Sequence, residues 1–374
     1  MPSKEIVTAG PAPLGPYSPA VKAGGFVYVS GTLAQDESAV VAGSGDVSAQ
    51  TRQVLERIRT TLAASGSSLD HALSVTVYLT SATDFQAMNA VYRTFWPTDP
   101  PTRTTVIADL VLPGALVDIS MIAVATGGQR RVIHPSSWTA SPNPYSHAIA
   151  SGSTLFLSGL VSRNGRDNTF VPGDVPAQTR VVMDNAGEIL AAAGMTHDNV
   201  VSARVFMPDP SAFEQMNQAY RQYFRAAPPA RATVKAGLAG REALVEITMI
   251  ASSARREVIN TPATTNPNLS PAIRAGNIVY LSGTLGNTAE TQGNPAAQTR
   301  ETLDRLRAGL GAAGSSPADV VDALVYLPDL RNVAATDEVY RPFFGREFPA
   351  RTTVGAGLLA SDALVEIMMT AMAR

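Results

Sequence analysis

The sequence predicts an α+β protein made of three tandem copies of one two-layer α/β sandwich. Three observations carry that expectation. Short strings recur in a constant order: a Ser-Gly pair closing an apolar run (Ser30-Gly31, Ser158-Gly159, Ser282-Gly283), AQTR at 49–52, 177–180 and 297–300, and a Pro-x-Arg hexamer that reads PTRTTV at 101–106, PARATV at 229–234 and PARTTV at 349–354. Their period is close to 120–128 residues, which suits a small domain and is far too long for a solenoid repeat. Each copy also mixes β-rich runs with two helical patterns. Polar stretches at 126–131 and 252–257 divide the chain into units 1–126, 127–254 and 255–374.

Within the first unit the elements follow in order, beginning with a possible short strand at 5–7. FVYVSGTL (26–33) is a β-rich run bounded by glycine, matched by TLFLSGL (154–160) and IVYLSGTL (278–285). A helix is predicted from near Asp46, with Val54, Leu55, Ile58 and Leu62 as its apolar stripe and Gly66 at the C-cap position. The equivalent helices end at Gly194 and Gly314. SVTVYLT (74–80) alternates as a strand does, and a second helix runs from about Asp84 to Phe95. RTTVIADL (103–110) and LVDISMIAV (116–124) follow as two strands joined through a Pro-Gly turn.

The last strand separates its side chains by face. Val117, Ile119 and Met121 point one way, while Asp118 and Ser120 point the other. If two helices cover the first face, the acid lies on the opposite one, and Arg103 is expected to share its side. A sheet with one uncovered, partly polar face meets another copy of itself. Three units in one chain then close naturally into a pseudo-threefold ring, sheets inward and clefts between units.

Composition narrows the function. Apolar residues make up 45% and charged residues 16%, enough for packed cores. A net charge of −2 argues against a phosphate-tracking surface. Cysteine is absent, which removes disulfides, thiolate nucleophiles and Cys-ligated metals together. His71, His134, His147 and His197 are scattered without ligand spacing, so no metal is expected. The amino terminus lacks a signal-peptide core, and no run approaches the roughly twenty apolar residues of a membrane span. A cytoplasmic protein without membrane or nucleic-acid partners is the expectation.

An arginine and a carboxylate recur fifteen positions apart in each copy: Arg103 with Asp118, Arg231 with Glu246, Arg351 with Glu366. A guanidinium fork matches a carboxylate ligand with two charge-assisted hydrogen bonds, and a nearby acid can align a water and manage protons. The same pattern is also what duplication of a structural ion pair leaves behind.

GPYSPAVKAGGFVYVSG (15–31), AQTRQ (49–53), MNAVY (88–92), PTRTTV (101–106) and VDISMIA (117–123) together resemble the RidA (YjgF-like, endoribonuclease L-PSP) family of reactive-intermediate imine deaminases. The resemblance covers the whole chain, once per repeat, and is fullest in the first two. It implies a chorismate-mutase-like fold, a single-chain pseudo-trimer with ligand clefts between repeats, and no cofactor. It implies that Arg103, Arg231 and Arg351 hold a substrate carboxylate, and that Asp118, Glu246 and Glu366 position the attacking water. Tyr17 and Tyr145 match the family tyrosine, with Leu269 in the third copy. Asn89 and Asn217 match its asparagine, with Asp337 in the third. Ser30, Ser158 and Ser282 match its strand-end serine, and Thr105, Thr233 and Thr353 stand where cysteine is common.

The expected activity is hydrolysis of small enamine or imine acids such as 2-aminoacrylate to 2-keto acids and ammonia, the chain acting as a monomer. Repeat two keeps the whole set, repeat one shortens its acid, and repeat three is the most altered. A non-catalytic module that binds small carboxylates is the alternative, favoured by those losses. A ribonuclease is the weaker one. The serines could simply cap strand ends, the tyrosines could be turn residues, and AQTR reads as a helix-start packing motif.

Overall fold

The structure is a computed structural model and describes residues 4–9, 12–36, 38, 40–224, 227–260 and 266–374. Each unit carries two α-helices: α1 (Val47–Ala64) and α2 (Phe85–Phe95), α3 (Val175–Ala192) and α4 (Phe213–Tyr220), α5 (Pro295–Ala312) and α6 (Val333–Phe344). The long helices start where the sequence places them. Asp46 accepts from the Ser48 and Ala49 N–H groups, Asp174 from Ala177 and Asn294 from Ala297, so each first turn has a side-chain cap. Gly66, Gly194 and Gly314 follow the last turns with φ of 76°, 74° and 72°, the left-handed conformation that ends a helix.

The helices of each unit lie on one face of a mixed sheet. Their apolar stripes meet the outer side chains of the strands in three separate cores, one per unit. Val54, Leu55, Ile58 and Leu62 are fully buried there against Val117, Ile119 and Met121. The α+β class and the three sandwich units are therefore as expected.

Two strand predictions need correction. RTTVIADL is not one strand but Thr102–Ile107 followed by Asp109–Leu110. It does not form a hairpin with Val117–Val124 either, because strand Ala72–Leu79 lies between them. Thr102–Ile107 pairs parallel to Ala72–Leu79, Arg103 opposite Val75, and residues in register share a face. Val75 belongs to the helix-side core, so Arg103 also points toward the helices, away from the Asp118 face. In the second unit, TLFLSGL is regular only over Thr154–Leu157. In the other two, the strand continues but its register shifts at Ser30-Gly31 and Ser282-Gly283, a bulge.

The three units close into a ring. Asp109–Leu110 of unit one pairs with Val354–Gly355 of unit three, and Gly237–Leu238 of unit two with Val106–Ile107 of unit one. Gly357 of unit three bridges to Lys235 of unit two. Two further apolar clusters draw on all three sheets: one around Phe26, Phe156 and Tyr280, the other around Tyr78, Phe206 and Tyr326. Burying these faces is what holds the ring together. Among the described residues, no helix is long and apolar enough to cross a membrane.

Candidate active site

The arginines are buried at the seams of the ring, none more than 5% exposed. Each lies under the second helix of its own unit. Arg103 sits 4.8 Å from the Tyr92 ring and 5.7 Å from Phe85; Arg231 sits 4.9 Å from Tyr220 and 5.7 Å from Phe213. Arg351 is 4.9 Å from Tyr340. Aromatic faces favour a cation in this position and fix the plane of the guanidinium.

For Arg103 and Arg231, the strand acid that acts on the guanidinium comes from the next unit; Arg351 instead pairs with Asp337 of its own unit. Glu246 acts on Arg103 and Glu366 on Arg231, in each case raising the tendency of the guanidinium to stay charged. Around Arg351, the residues are Tyr17, Ser30 and Gly31 of unit one, and Asp118 approaches Gly31 and Thr352. The recurrence of Arg103 with Asp118, Arg231 with Glu246 and Arg351 with Glu366 left direct pairing open, and the structure does not pair them in space. Arginine and strand acid of one unit stand on opposite faces and two strands apart, and ring closure is what brings Glu246 to Arg103 and Glu366 to Arg231.

The strand-end serines make these seams. Ser158 Oγ donates to the Ser146 carbonyl at 2.7 Å and accepts from the Arg103 N–H at 2.9 Å. Ser282 does the same for Ser270 and Arg231, and Ser30 for Ser18 and Arg351. Their hydroxyl protons are spent on the backbone, so these serines position the arginine strand. The glycine that follows has a role the sequence reading missed. A Cβ at Gly159 would overlap the Glu246 carboxylate, one at Gly283 would overlap Glu366, and one at Gly31 would come within 2.8 Å of Asp118. The repeated Ser-Gly pair was the available signal.

AQTR behaves as the packing motif expected. Gln50 accepts from the Leu116 N–H, Gln178 from Leu244 and Gln298 from Leu364, each just before the acid-bearing strand. The motif therefore fixes the loop that delivers the acid.

Burial dominates the electrostatics. Desolvation pushes the carboxyls of Asp118, Glu246 and Glu366 up to about 8. At Glu246, the Thr105 backbone N–H, the Arg103 charge and Arg204 pull in the other direction. At Glu366 only Arg231 does, and at Asp118 only the Thr32 backbone N–H. The Oγ1 atoms of Thr105, Thr233 and Thr353 are buried without a hydrogen-bond partner.

The three seams are not equivalent. Between units one and two, Arg103, Asn89 and Thr105 meet Tyr145, Ser158 and Glu246, the full set. Tyr145 lies 5.9 Å from the Arg103 guanidinium, Nη1 of Arg103 is buried and unpartnered, and Asn89 turns its amide to Asn143 at 3.3 Å. Between units two and three, Arg231 donates from Nη2 to Asn217 at 2.7 Å while its Nε and Nη1 are buried and unpartnered, and Leu269 replaces the tyrosine. Between units three and one, Asp337 takes the fork of Arg351 in an ion pair of 2.5 Å, and the acid is the shorter Asp118. Repeat two therefore does not contain a whole site by itself; the whole set is assembled from units one and two.

The histidines serve packing: His134 stacks on His147 at 5.2 Å beside Tyr145, and His197 bonds to the Met183 carbonyl. Among the described residues, no group of three acids or histidines is arranged to hold a metal.

A ring of three α+β sandwiches, with a buried arginine and a buried strand acid at each seam, defines the class of protein. The profile of the family described as Endoribonuclease L-PSP matches residues 7–125, 137–253 and 258–373. The chain belongs to this RidA (YjgF-like) family, three times over. A RutC family protein of Sulfurisphaera tokodaii is 44% identical over 29% of this chain and 87% of its own length. The 3-aminoacrylate deaminase RutC of Acinetobacter baylyi is 43% identical over 33% of this chain and 98% of its own. A solved chorismatase, 14% identical with a TM-score of 0.55, covers 81% of this chain and 93% of its own, a likeness of fold alone.

Proposed function

We propose that the protein hydrolyses small imine or enamine acids to 2-oxo acids and ammonia, and that it does so at the seam between units one and two. The observation that carries this reading is the buried Arg103, its Nη1 unpartnered, at a seam that also has Glu246 acting on it and the Tyr145 ring 5.9 Å away. The relative from Acinetobacter baylyi, by its name a deaminase of 3-aminoacrylate, supports the reaction class.

The substrate carboxylate pairs with Arg103, which sets the protonated C=N carbon beside Glu246. Water adds to that carbon while Glu246, as carboxylate, takes one of its protons. The resulting carbinolamine accepts the proton back on nitrogen. The C–N bond then breaks as Glu246, again a carboxylate, takes the hydroxyl proton; the oxygen becomes the keto oxygen, ammonia leaves, and the proton follows it as ammonium. An acid raised to about 8 by burial is suited to both transfers near neutral pH, and a cationic iminium beside it favours the carboxylate form.

The test generates an imine in place with an amino-acid oxidase and follows its loss. Acceleration is expected from the wild type and not from Arg103→Ala or Glu246→Gln, while Arg351→Ala retains it. No acceleration over buffer, beside an active control protein, sinks the proposal. Carboxylate binding without turnover is the second reading, favoured between units two and three by Leu269 in place of the tyrosine; between units three and one, Asp337 already pairs with Arg351. Calorimetry with pyruvate separates the two. A net charge of −2 argues against the ribonuclease of the family's description.

A further inference from the structure

We infer that the complete seam selects the imine of a dicarboxylic 2-oxo acid, its distal carboxylate taken by Arg93. The inference rests on the reading of Arg103 as the anchor for the first carboxylate.

A groove of about 410 Å³ opens on the same seam, lined by Arg93, Asn143, Tyr145, His134 and His147 among others. Tyr145 lines the groove and its ring lies 5.9 Å from the Arg103 guanidinium, so the groove adjoins the Arg103 cleft. On α2, Asn89 and Arg93 are four residues apart and share a helix face, separated by a rise of about 6 Å. Both reach across to the same loop of unit two. Asn89 bonds Asn143, and Arg93 donates to the Pro142 carbonyl at 2.7 Å. The helix therefore sets a second guanidinium on the same seam as Arg103, close enough for the two charges to act on one another.

Arg93 is exposed and has no carboxylate partner among the described residues. Its counterpart at the next seam, Arg221, is occupied by Glu214 at 2.8 Å. Arg93 is also near enough to oppose the charge on Arg103, so an anion spanning both relieves a repulsion. The groove offers little competing charge. His147 is pushed down by burial and stays neutral, and the carboxylate of Asp99 is close enough to Arg130 to stabilise that cation. A monocarboxylate leaves Arg93 unmatched; a diacid fills both forks.

Calorimetry with pyruvate and 2-oxoglutarate, the products of the two imine classes, tests this in the full chain. The diacid is expected to bind about tenfold tighter or more, and Arg93→Gln to collapse the ratio toward one, while Arg221→Gln keeps it. A ratio near one in the wild type, or one unchanged by Arg93→Gln while Arg103→Ala still abolishes binding, overturns this inference alone. If Arg103→Ala leaves pyruvate binding intact, the reading of the cleft falls with it.

Discussion

Glu246 carries its function through where it is buried. A carboxyl with a folded-state pKa of about 8 keeps a proton that the unfolded chain, near 4.5, has already released. Between those values folding takes up a proton, so stability falls as pH rises, and the loss is complete above about 8. Asp118 and Glu366 act in the same direction. The melting temperature is therefore expected to drop from pH 5 to pH 9. Glu246→Gln should flatten that slope and gain a few degrees at the alkaline end, read by calorimetric scans across pH. An unchanged slope in the variant would deny the raised pKa. Asp337 makes the opposite case, a carboxylate that fills a guanidinium fork from inside the protein. Asp337→Asn should free Arg351 and add one further, weaker pyruvate-binding event to those of the wild type, counted by calorimetry. These residues were legible as a set from their motifs. Which acid belongs to which arginine was not, because fifteen positions of sequence give no distance across a seam.

At the scale of elements, the Ser-Gly bulge and the AQTR glutamine place the acid. Gly159→Ala drives a methyl group into the Glu246 carboxylate and displaces it by about 1 Å, which should cost on the order of 10²-fold in kcat/KM. The far-UV spectrum should be kept, since the φ at this glycine is not left-handed. Full activity in this variant would show that the acid does not need its present position. The helices were readable because caps, glycine stops and apolar stripes are local signals. The strand Thr102–Ile107 was misjudged as half of a hairpin because its partner is chosen across the helix that precedes it, and that choice turned Arg103 to the other face. The break at Ala108 answers to a neighbouring unit and has no local cause in the sequence.

The whole molecule depends on faces shared by all three units. Phe156 packs edge-on to Phe26 at 5.8 Å in one of the two central clusters. Phe156→Ala is expected to cost about 3–5 kcal/mol and to weaken carboxylate binding, because the seams open as the sheets lose contact. Denaturant melts and calorimetry on one preparation check both, and loss of stability without loss of binding would separate ring from site. Fusion also permits asymmetry on the axis. Arg204 bonds Thr76 at 3.0 Å in a cavity shared with Asp322, where three identical chains would bring three arginines together.

Period, order and residue types alone determined that three α+β units follow one another, each carrying a buried-type arginine, an acid and the small residues around them. Those are properties of local pattern and repeat. Tertiary structure decided that Arg103 answers Glu246, that the most complete set spans units one and two, and that Arg351 is closed by Asp337. The reason is physical: a buried charge is set by the groups that surround it in space, and at these seams they come from distant parts of the chain, its own unit and the next.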